Sequence, residues 1–333
     1  FLGDSAQLPP VNQAHKSKAL DSTSGQANLT EVMRAKNAAL LDESIAIRKE
    51  GDFTKAGNMT EGNGVLFLSS RKNFMQVAID MFTSKQFAKN PLLGRIVAYR
   101  NATVAQYNRA IRAQLFPGNV TIARGDLLMG YGTIGKPDPV TKVPTVANGM
   151  DYVVKTAADV KLEPVYIGES RIELPVINIT IQDTLNINGT KTIKVISPTA
   201  TVAQKNALAG AVNTLLNQAR KDKKLWRSYY EFRDSYAAME NITDPQKGNV
   251  LLAKSLDYGY AHTIHKSQGG TYNYVLVDDL DVSSSRNAQE HAPLRYVGTT
   301  RAQQGAFILT DGEITNILGA RTENTQQQDP VDE

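Results

Sequence analysis

One short segment, HTIHKSQGGTY at 262–272, holds two histidines, a threonine, a serine, a lysine and a glutamine before a pair of glycines. Thr263, His265 and Ser267 alternate, as side chains on one side of an extended segment do. Short donors in such a line suit a phosphodiester backbone, which offers acceptor oxygens at every nucleotide, and Lys266 adds a positive charge. We predict that these four residues contact a nucleic-acid backbone, with an ordinary polar loop as the alternative.

Two other segments imitate nucleotide-binding motifs. GYGTIGKP at 130–137 matches the start of a P-loop, but Pro137 stands where the magnesium-binding Ser or Thr belongs. A P-loop also needs a helix directly after it, and Pro137, Pro139 and Pro144 exclude that helix. We therefore predict a hairpin. VLVDDLD at 275–281 resembles a magnesium-binding strand end, and we predict a core strand with solvated carboxylates at its exit.

The elements that must position these residues alternate between strand and helix, which predicts an α/β fold with a parallel sheet. Residues 26–50 carry a partial apolar stripe of helical period. Four short apolar runs have the composition of buried parallel strands; they lie at 65–69, 94–101, 272–280 and 306–310. Helical patterns follow the first two of these runs.

A β-rich part, from about residue 119 to 199, interrupts this alternation. Asn148-Gly149 is a turn pair, and Asn188-Gly189 stands between two alternating strands, which indicates a hairpin. We predict a small antiparallel barrel inserted into the α/β domain, followed by a helix at 201–220. The predicted divisions are an N-terminal remnant, a lobe in two pieces, an insert and a polar disordered tail; they cover 1–25, 26–118 with 251–319, 119–250, and 320–333.

The segment ARKDKKLWRSYYEFR at 219–233 mixes basic residues with Trp226, Tyr229, Tyr230 and Phe232. Such a mixture suits a single strand of nucleic acid, whose bases stack on rings and whose phosphates pair with cations. At helical spacing, however, the four rings share roughly one face, which favours packing into a core with a solvated basic side. We favour packing and keep strand binding as the alternative.

Composition narrows the class of protein. The chain of 333 residues contains 41% hydrophobic and 21% charged residues and no cysteine, which excludes disulfides and thiolate chemistry. It has no apolar run of the length that a membrane span needs and no secretory signal. We expect no membrane partner and a location in the cytoplasm of a bacterial or phage-infected cell. The net charge of +4 mildly favours a polyanionic partner.

Four motifs then occur in a fixed order: FLGDSAQLPPV at 1–11, LTEVMR at 29–34, HTIHKSQGGTY at 262–272 and YVGTTRA at 296–302. They resemble motifs III, IV, V and VI of superfamily 1 helicases of the RecD/Dda branch. The predicted insert and the basic-aromatic segment add to this resemblance, which covers nearly the whole chain. It implies a RecA-like lobe with an inserted SH3-like barrel, in a motor that moves 5′ to 3′ on single-stranded DNA.

The resemblance also assigns roles to residues. It implies that Arg34 and Arg301 reach the γ-phosphate of ATP, Arg301 as an arginine finger, since a planar guanidinium suits phosphate. Gln7 stands at the sensor position, where its amide can accept from water and donate to a phosphate oxygen. Asp4 either forms a turn or couples to motif II. The resemblance places four residues on the nucleotide side, namely Asp4, Gln268, Gly269 and Gly270.

The P-loop and the acidic pair of motif II precede motif III in this family, and this sequence contains neither. We therefore expect the later part of a helicase, inactive alone, with ATP and Mg²⁺ held mainly by a missing lobe. Single-stranded DNA is the expected partner, together with a single-strand-binding, replication or recombination protein. The alternatives are a non-catalytic strand-binding or partner-docking module and an RNA helicase of the same superfamily.

Overall fold

The computed structural model describes residues 4, 6–9, 35–187 and 189–319, which form two compact units. The first unit takes the residues up to Met81, Leu93–Val104 and those from His262 onward; the second takes Phe82–Leu92 and Ala105–Ala261. The predicted tail at 320–333 and most of the predicted remnant at 1–25 lie outside the described residues.

Strands and helices are numbered here in chain order, within the described residues. The strands are β1 Ala56–Thr60, β2 Asn63–Leu68, β3 Gly94–Ala98, β4 Leu127–Gly130, β5 Asp151–Ala157, β6 Lys161–Ile167, β7 Ser170–Asp183, β8 Thr190–Ile196, β9 Tyr236–Ala237, β10 Ile242–Thr243, β11 Val250–Leu252, β12 Leu256–Tyr258, β13 Ala261–Thr263, β14 Tyr272–Asp278, β15 Ala302–Leu309 and β16 Thr315–Gly319. The α-helices are α1 Ala38–Glu50, α2 Arg71–Thr83, α3 Lys85–Lys89, α4 Asn101–Leu115, α5 Val202–Lys221, α6 Trp226–Ser235, α7 Asp279–Ser283 and α8 His291–Thr299.

The first unit is built on a mainly parallel sheet with the strand order β13-β3-β14-β15-β2-β1-β16. The four central strands β3, β14, β15 and β2 pair in parallel, while β1 and β2 pair antiparallel. These four strands are the four apolar runs picked out in the sequence, and Ile96, Val275 and Ala306 on them are fully buried. The predicted α/β class with a parallel sheet is confirmed.

Helix α1 is shorter than its apolar stripe indicates. The Asn37 side chain accepts a hydrogen bond from the Leu40 backbone N–H at 2.9 Å and starts the helix. Gly51, with φ +80°, ends it in the left-handed conformation. The predicted helix at 26–50 is thus observed as Ala38–Glu50, and residues 26–34 lie outside the described part.

The second unit contains a mainly antiparallel sheet with the order β12-β4-β5-β7-β8-β9, to which β6 adds by pairing with β7. Gly149 and Gly189 take positive φ at two turns of this sheet, and β7 and β8, which flank Gly189, pair antiparallel as the predicted hairpin requires. Among the described strands of this sheet, β8 and β9 are the one pair that runs parallel. Pairings among the described residues form a path that ends at β12 and β9, so the closed SH3-like barrel stays a prediction.

Helix α5 confirms the helix predicted at 201–220. Thr201 and Gln204 form a reciprocal capping box at its start. Its buried stripe, which includes Leu208, Val212 and Leu215, packs in a hydrophobic core with strands of the sheet. The pattern of apolar residues every three or four positions is therefore used as the sequence indicates.

The second unit extends beyond the range 119–250 that was predicted for the insert, because it also takes in Phe82–Leu92, 105–118 and 251–261. Phe82 packs edge-to-face on Phe87, with ring centroids 4.9 Å apart, and on Tyr260, at 5.5 Å. Such contacts between distant segments cannot be read from composition shifts along the chain.

The segment at 130–137, which matches the start of a P-loop, belongs to a hairpin, as predicted. Ile134 and Val146 exchange both backbone hydrogen bonds, at 3.0 and 3.1 Å, across the proline-rich segment. No helix within the described residues combines the length and the apolarity that crossing a bilayer requires.

Candidate functional site

The polar segment at 262–272 folds differently from the prediction. Strand β13 ends at Thr263, and Ile264–Ser267 forms a 3₁₀ turn. The Thr263 hydroxyl caps this turn by accepting from the Lys266 backbone N–H at 3.3 Å. The predicted extended conformation is wrong, because a threonine hydroxyl can satisfy a free N–H at the start of a turn.

Ser267 is the clearest correction among the four predicted backbone contacts. Its side chain is fully buried, and its hydroxyl donates to the Ile264 carbonyl at 2.7 Å. A contact between this hydroxyl and a nucleic acid would require the turn to open. Thr263, His265 and Lys266 are half-buried and remain at the edge of the unit.

His265 lies against an aromatic side chain. Its ring centroid is 6.3 Å from that of Tyr99, at an interplanar angle of 45°. Burial lowers the pKa of His265, while Glu290 opposes this effect. The ring is therefore neutral near pH 7, and it can offer a hydrogen bond and a flat face but no charge.

Gly269 and Gly270 differ in backbone conformation and in the space around them. Gly269 has φ +88°, and a Cβ there would meet no atom within 4 Å, so its backbone stands open to a ligand. At Gly270 a Cβ would lie 2.8 Å from the Tyr272 hydroxyl. Gln268 and Gly269 are exposed. The open backbone that was predicted for this pair is therefore found at Gly269, whereas Gly270 is close to Tyr272.

A buried group that the sequence did not reveal supports the turn from inside. The Nδ1 atom of His262 lies 3.2 Å from the Thr263 carbonyl, which can only accept, so Nδ1 carries the proton. The Nε2 atom lies 3.1 Å from the Tyr272 hydroxyl and accepts from it. The guanidinium carbon of Arg95 lies 4.8 Å from the centre of the Tyr272 ring. Only the pairing of distant strands could have identified this cluster.

His262 gives a testable pH dependence. Complete burial lowers its pKa to about 3, and the charge of Arg95 adds to this. The pKa of His262 in the folded protein lies below its value of ~6.5 in the unfolded chain. The contribution of neutral His262 to folding stability is therefore complete above pH 6.5 and is lost as the pH falls towards 3. Between pH 7 and 5 we expect a loss of about 2 kcal/mol in the free energy of unfolding.

Urea unfolding of the wild type and of His262→Gln at both pH values measures this loss. The variant should lose about 2 kcal/mol less than the wild type over this range. Equal losses in the two proteins would contradict the prediction. An NMR titration of the His262 ring provides a reading that does not depend on the stability of the variant.

Arg301 lies directly beside this segment. Its backbone carbonyl accepts from the Tyr272 N–H at 2.9 Å, where β14 and β15 begin to pair. The side chain is 3% exposed; its Nε donates to the Val297 carbonyl at 3.0 Å and its Nη2 to the Thr300 hydroxyl at 3.2 Å. The guanidinium is therefore held in a defined orientation at the end of α8.

The described residues of the N-terminal motif also lie on the first unit. The Asp4 carboxylate accepts from the Tyr296 hydroxyl at 3.1 Å and pairs with Arg48, also at 3.1 Å. It further accepts from the Ala6 N–H at 3.0 Å and so forms a turn. Gln7 is half-buried next to this turn. Asp4 is thus hydrogen-bonded to α8, the helix that precedes Arg301.

Arg34 lies outside the described residues, but the segment that follows it is held beside the segment that follows Arg301. The Lys36 N–H donates to the Gln303 carbonyl at 2.9 Å. The Asn37 amide donates to the Gln304 carbonyl at 2.6 Å. Segments that lie 267 residues apart in sequence therefore adjoin near the start of β15.

The carboxylates at the exit of β14 are buried, so the prediction that they are solvated is wrong. Each has a basic partner, and the pairs are Asp278 with Arg71, Asp279 with Arg295 and Asp281 with Arg100. Burial raises the pKa of Asp279, and Arg295 opposes this rise. These side chains fix the ends of neighbouring parallel strands.

The nucleotide that the resemblance implies is chemically compatible with part of this site. Arg301 carries a planar cation of the type that binds phosphate, but its side chain is 3% exposed and donates to Val297 and Thr300 in this structure. The open backbone at Gly269 leaves room for an anionic group. Within the described ranges, no cluster of three or more histidine or acidic side chains could hold a metal ion. We therefore assign no step to magnesium.

Comparison with known protein families supports part of this interpretation. Residues 258–309 match the model of the UvrD-like helicase C-terminal domain. This range contains the turn at 263–270 and Arg301, so the resemblance to the C-terminal portion of superfamily 1 helicases is supported there. No curated protein matches the chain.

Among solved structures, the chain is similar to Pif1 helicase from Bacteroides in complex with ADP-AlF3 and ssDNA. The identity is 14% and the TM-score 0.42, over 92% of this chain and 60% of that one. For Pif1 helicase from Candida albicans the values are 16% and 0.40, over 93% and 63%. The chain thus spans less than two thirds of these structures, and similarity at this level does not establish a shared function.

Proposed function

We propose that this chain carries the second RecA-like lobe, with an SH3-like insert, of an ATP-dependent superfamily 1 helicase of the RecD/Dda branch. The helicase moves 5′ to 3′ on single-stranded DNA in the cytoplasm of a bacterial or phage-infected cell. The observation that carries the proposal is the meeting of three motifs in the first unit: Asp4 bonds to Tyr296 of the helix before Arg301, and Arg301 adjoins Tyr272 at the end of the polar segment.

In this proposal Arg301 and Arg34 meet charge that develops on the γ-phosphate. Gln7 senses that phosphate, and Gln268 and Gly269 face the nucleotide. Thr263, His265 and Lys266 contact the DNA backbone from the same turn. Because the turn and Arg301 are joined through Tyr272, a change at the nucleotide can reach the strand over a short path.

The test is ATP hydrolysis by the full-length protein, with and without single-stranded DNA. We expect strong stimulation by DNA, weaker stimulation by RNA of the same length, and no hydrolysis by the present chain alone. Unwinding of duplexes with a 5′ or a 3′ overhang determines the polarity. A full-length protein that binds ATP but whose hydrolysis is unaffected by any single strand would exclude the helicase function.

A further inference from the structure

A local excess of basic residues lies in one short part of the second unit. Residues 220–234 contain six Lys or Arg and three Asp or Glu, a net charge of +3, whereas the whole chain carries +4. A local excess of this kind is the electrostatic signature of a polyanion-binding surface.

The structure turns these cations outward at the junction of α5 and α6. Asp222 ends α5 and caps a 3₁₀ turn at Lys223–Leu225 by accepting from the Lys224 N–H at 3.0 Å. Five exposed side chains surround this junction and are called the basic patch; they are Arg220, Lys221, Lys223, Lys224 and Arg227.

Most of the patch keeps its charge available. In the part of the chain that the structure describes, Lys221, Lys223 and Lys224 form no ion pair, and Arg220 bonds to the neutral Asn217. Arg227 alone pairs, with the exposed Glu231 at 2.8 Å. An exposed pair of this kind is weak and easily exchanged for another anion.

Aromatic rings continue from the patch along α6. Phe232 is buried, and Trp226 and Tyr229 pack against the core, so the favoured packing interpretation is confirmed for these three. Tyr230 differs, because 46% of it is exposed. It stacks on Trp226, with centroids 6.0 Å apart and planes at 29°, and the Arg233 guanidinium lies 4.8 Å from its ring.

We propose that the basic patch and the exposed part of the Trp226–Tyr230 stack bind single-stranded nucleic acid. Lysines meet the phosphates, and unpaired bases contact the aromatic rings. A duplex would offer the phosphates but not the base faces, and an acidic protein segment would offer only charge. The proposal adds to the proposed function a second surface for the strand, on which it rests only for the choice of DNA.

The chain contains one tryptophan, Trp226, which makes the test local. Titration with a 20-nucleotide oligothymidylate should quench Trp226 emission in a saturable and salt-sensitive way. The triple variant K221Q/K223Q/K224Q should bind about tenfold more weakly at low salt, with the slope of log affinity against log salt reduced by about 2. Y230L should weaken quenching without changing that slope.

A matched control removes three exposed lysines elsewhere in the second unit, in the variant K85Q/K89Q/K161Q. It should keep both the affinity and the salt slope. Thermal unfolding of every variant checks that the fold is intact.

Three results would overturn the proposal. Fluorescence anisotropy could show that oligothymidylate binds while Trp226 emission stays unchanged. The two triple variants could lose the same affinity for oligothymidylate, or polyglutamate could bind as tightly as oligothymidylate. None of these depends on ATP hydrolysis, so the patch can fail while the proposed helicase function stands. The reverse also holds, since quenching can persist in a protein that shows no DNA-stimulated hydrolysis.

Discussion

Arg301→Ala in the full-length protein is expected to lower kcat for ATP hydrolysis by roughly 10³-fold or more, the effect of losing an arginine finger. The expected cause is the loss of a cation that meets charge spreading over the γ-phosphate in the transition state. Steady-state hydrolysis at saturating DNA measures the effect. KM for ATP should change far less than kcat, because the interaction strengthens in the transition state.

Arg301 is buried, so its removal can also disturb the fold, and two further variants separate these effects. Arg301→Lys keeps the charge but loses the planar fork, and we expect it to remain severely impaired. Arg286→Ala removes an exposed arginine from the same unit and should leave kcat unchanged. An Arg301→Ala protein with a normal thermal midpoint and kcat within about threefold of the wild type would contradict the arginine-finger role.

The central strands could be predicted because their signal is local. A buried parallel strand is covered on both faces, so its middle is a near-continuous apolar run, and β2, β3, β14 and β15 each contain such a run. Helix α5 could be predicted for the same reason, because its capping residues and its stripe of apolar residues lie within about twenty residues of each other. The hairpin at Ile134 followed from prolines, which act on their immediate neighbours.

The errors have a common origin in partners that lie far away in sequence. Asp278 and Asp281 were predicted to be solvated because their partners Arg71 and Arg100 are about 180 to 210 residues away in sequence. The segment at 262–272 has alternating polar residues, but the Thr263 hydroxyl accepts a hydrogen bond from the Lys266 backbone N–H and the chain forms a turn. The buried side chains of His262 and Tyr272 bond to each other behind this segment, and they meet only when β13 and β14 are placed in one sheet.

The network around Asp281 should be the largest single contribution to stability near the site. Its fully buried carboxylate accepts from the N–H groups of Tyr99 and Arg100 at 2.8 and 2.7 Å, from the Arg100 Nε at 2.6 Å and from the Thr103 hydroxyl at 2.7 Å. Asp281→Ala leaves these donors without their acceptor. We expect a loss of roughly 3–5 kcal/mol in the free energy of unfolding, measured by urea denaturation at pH 7.

Asp311→Ala provides the contrast, because Asp311 is 81% exposed and lies 3.7 Å from Lys55. Its removal should cost less than about 1 kcal/mol. The double variant R100A/D281A should be less destabilised than the sum of its single variants, since a charge without its partner is the costly state. Strict additivity, or a cost for Asp281→Ala as small as that for Asp311→Ala, would mean that the buried carboxylate does not hold the ends of β3 and β14 together.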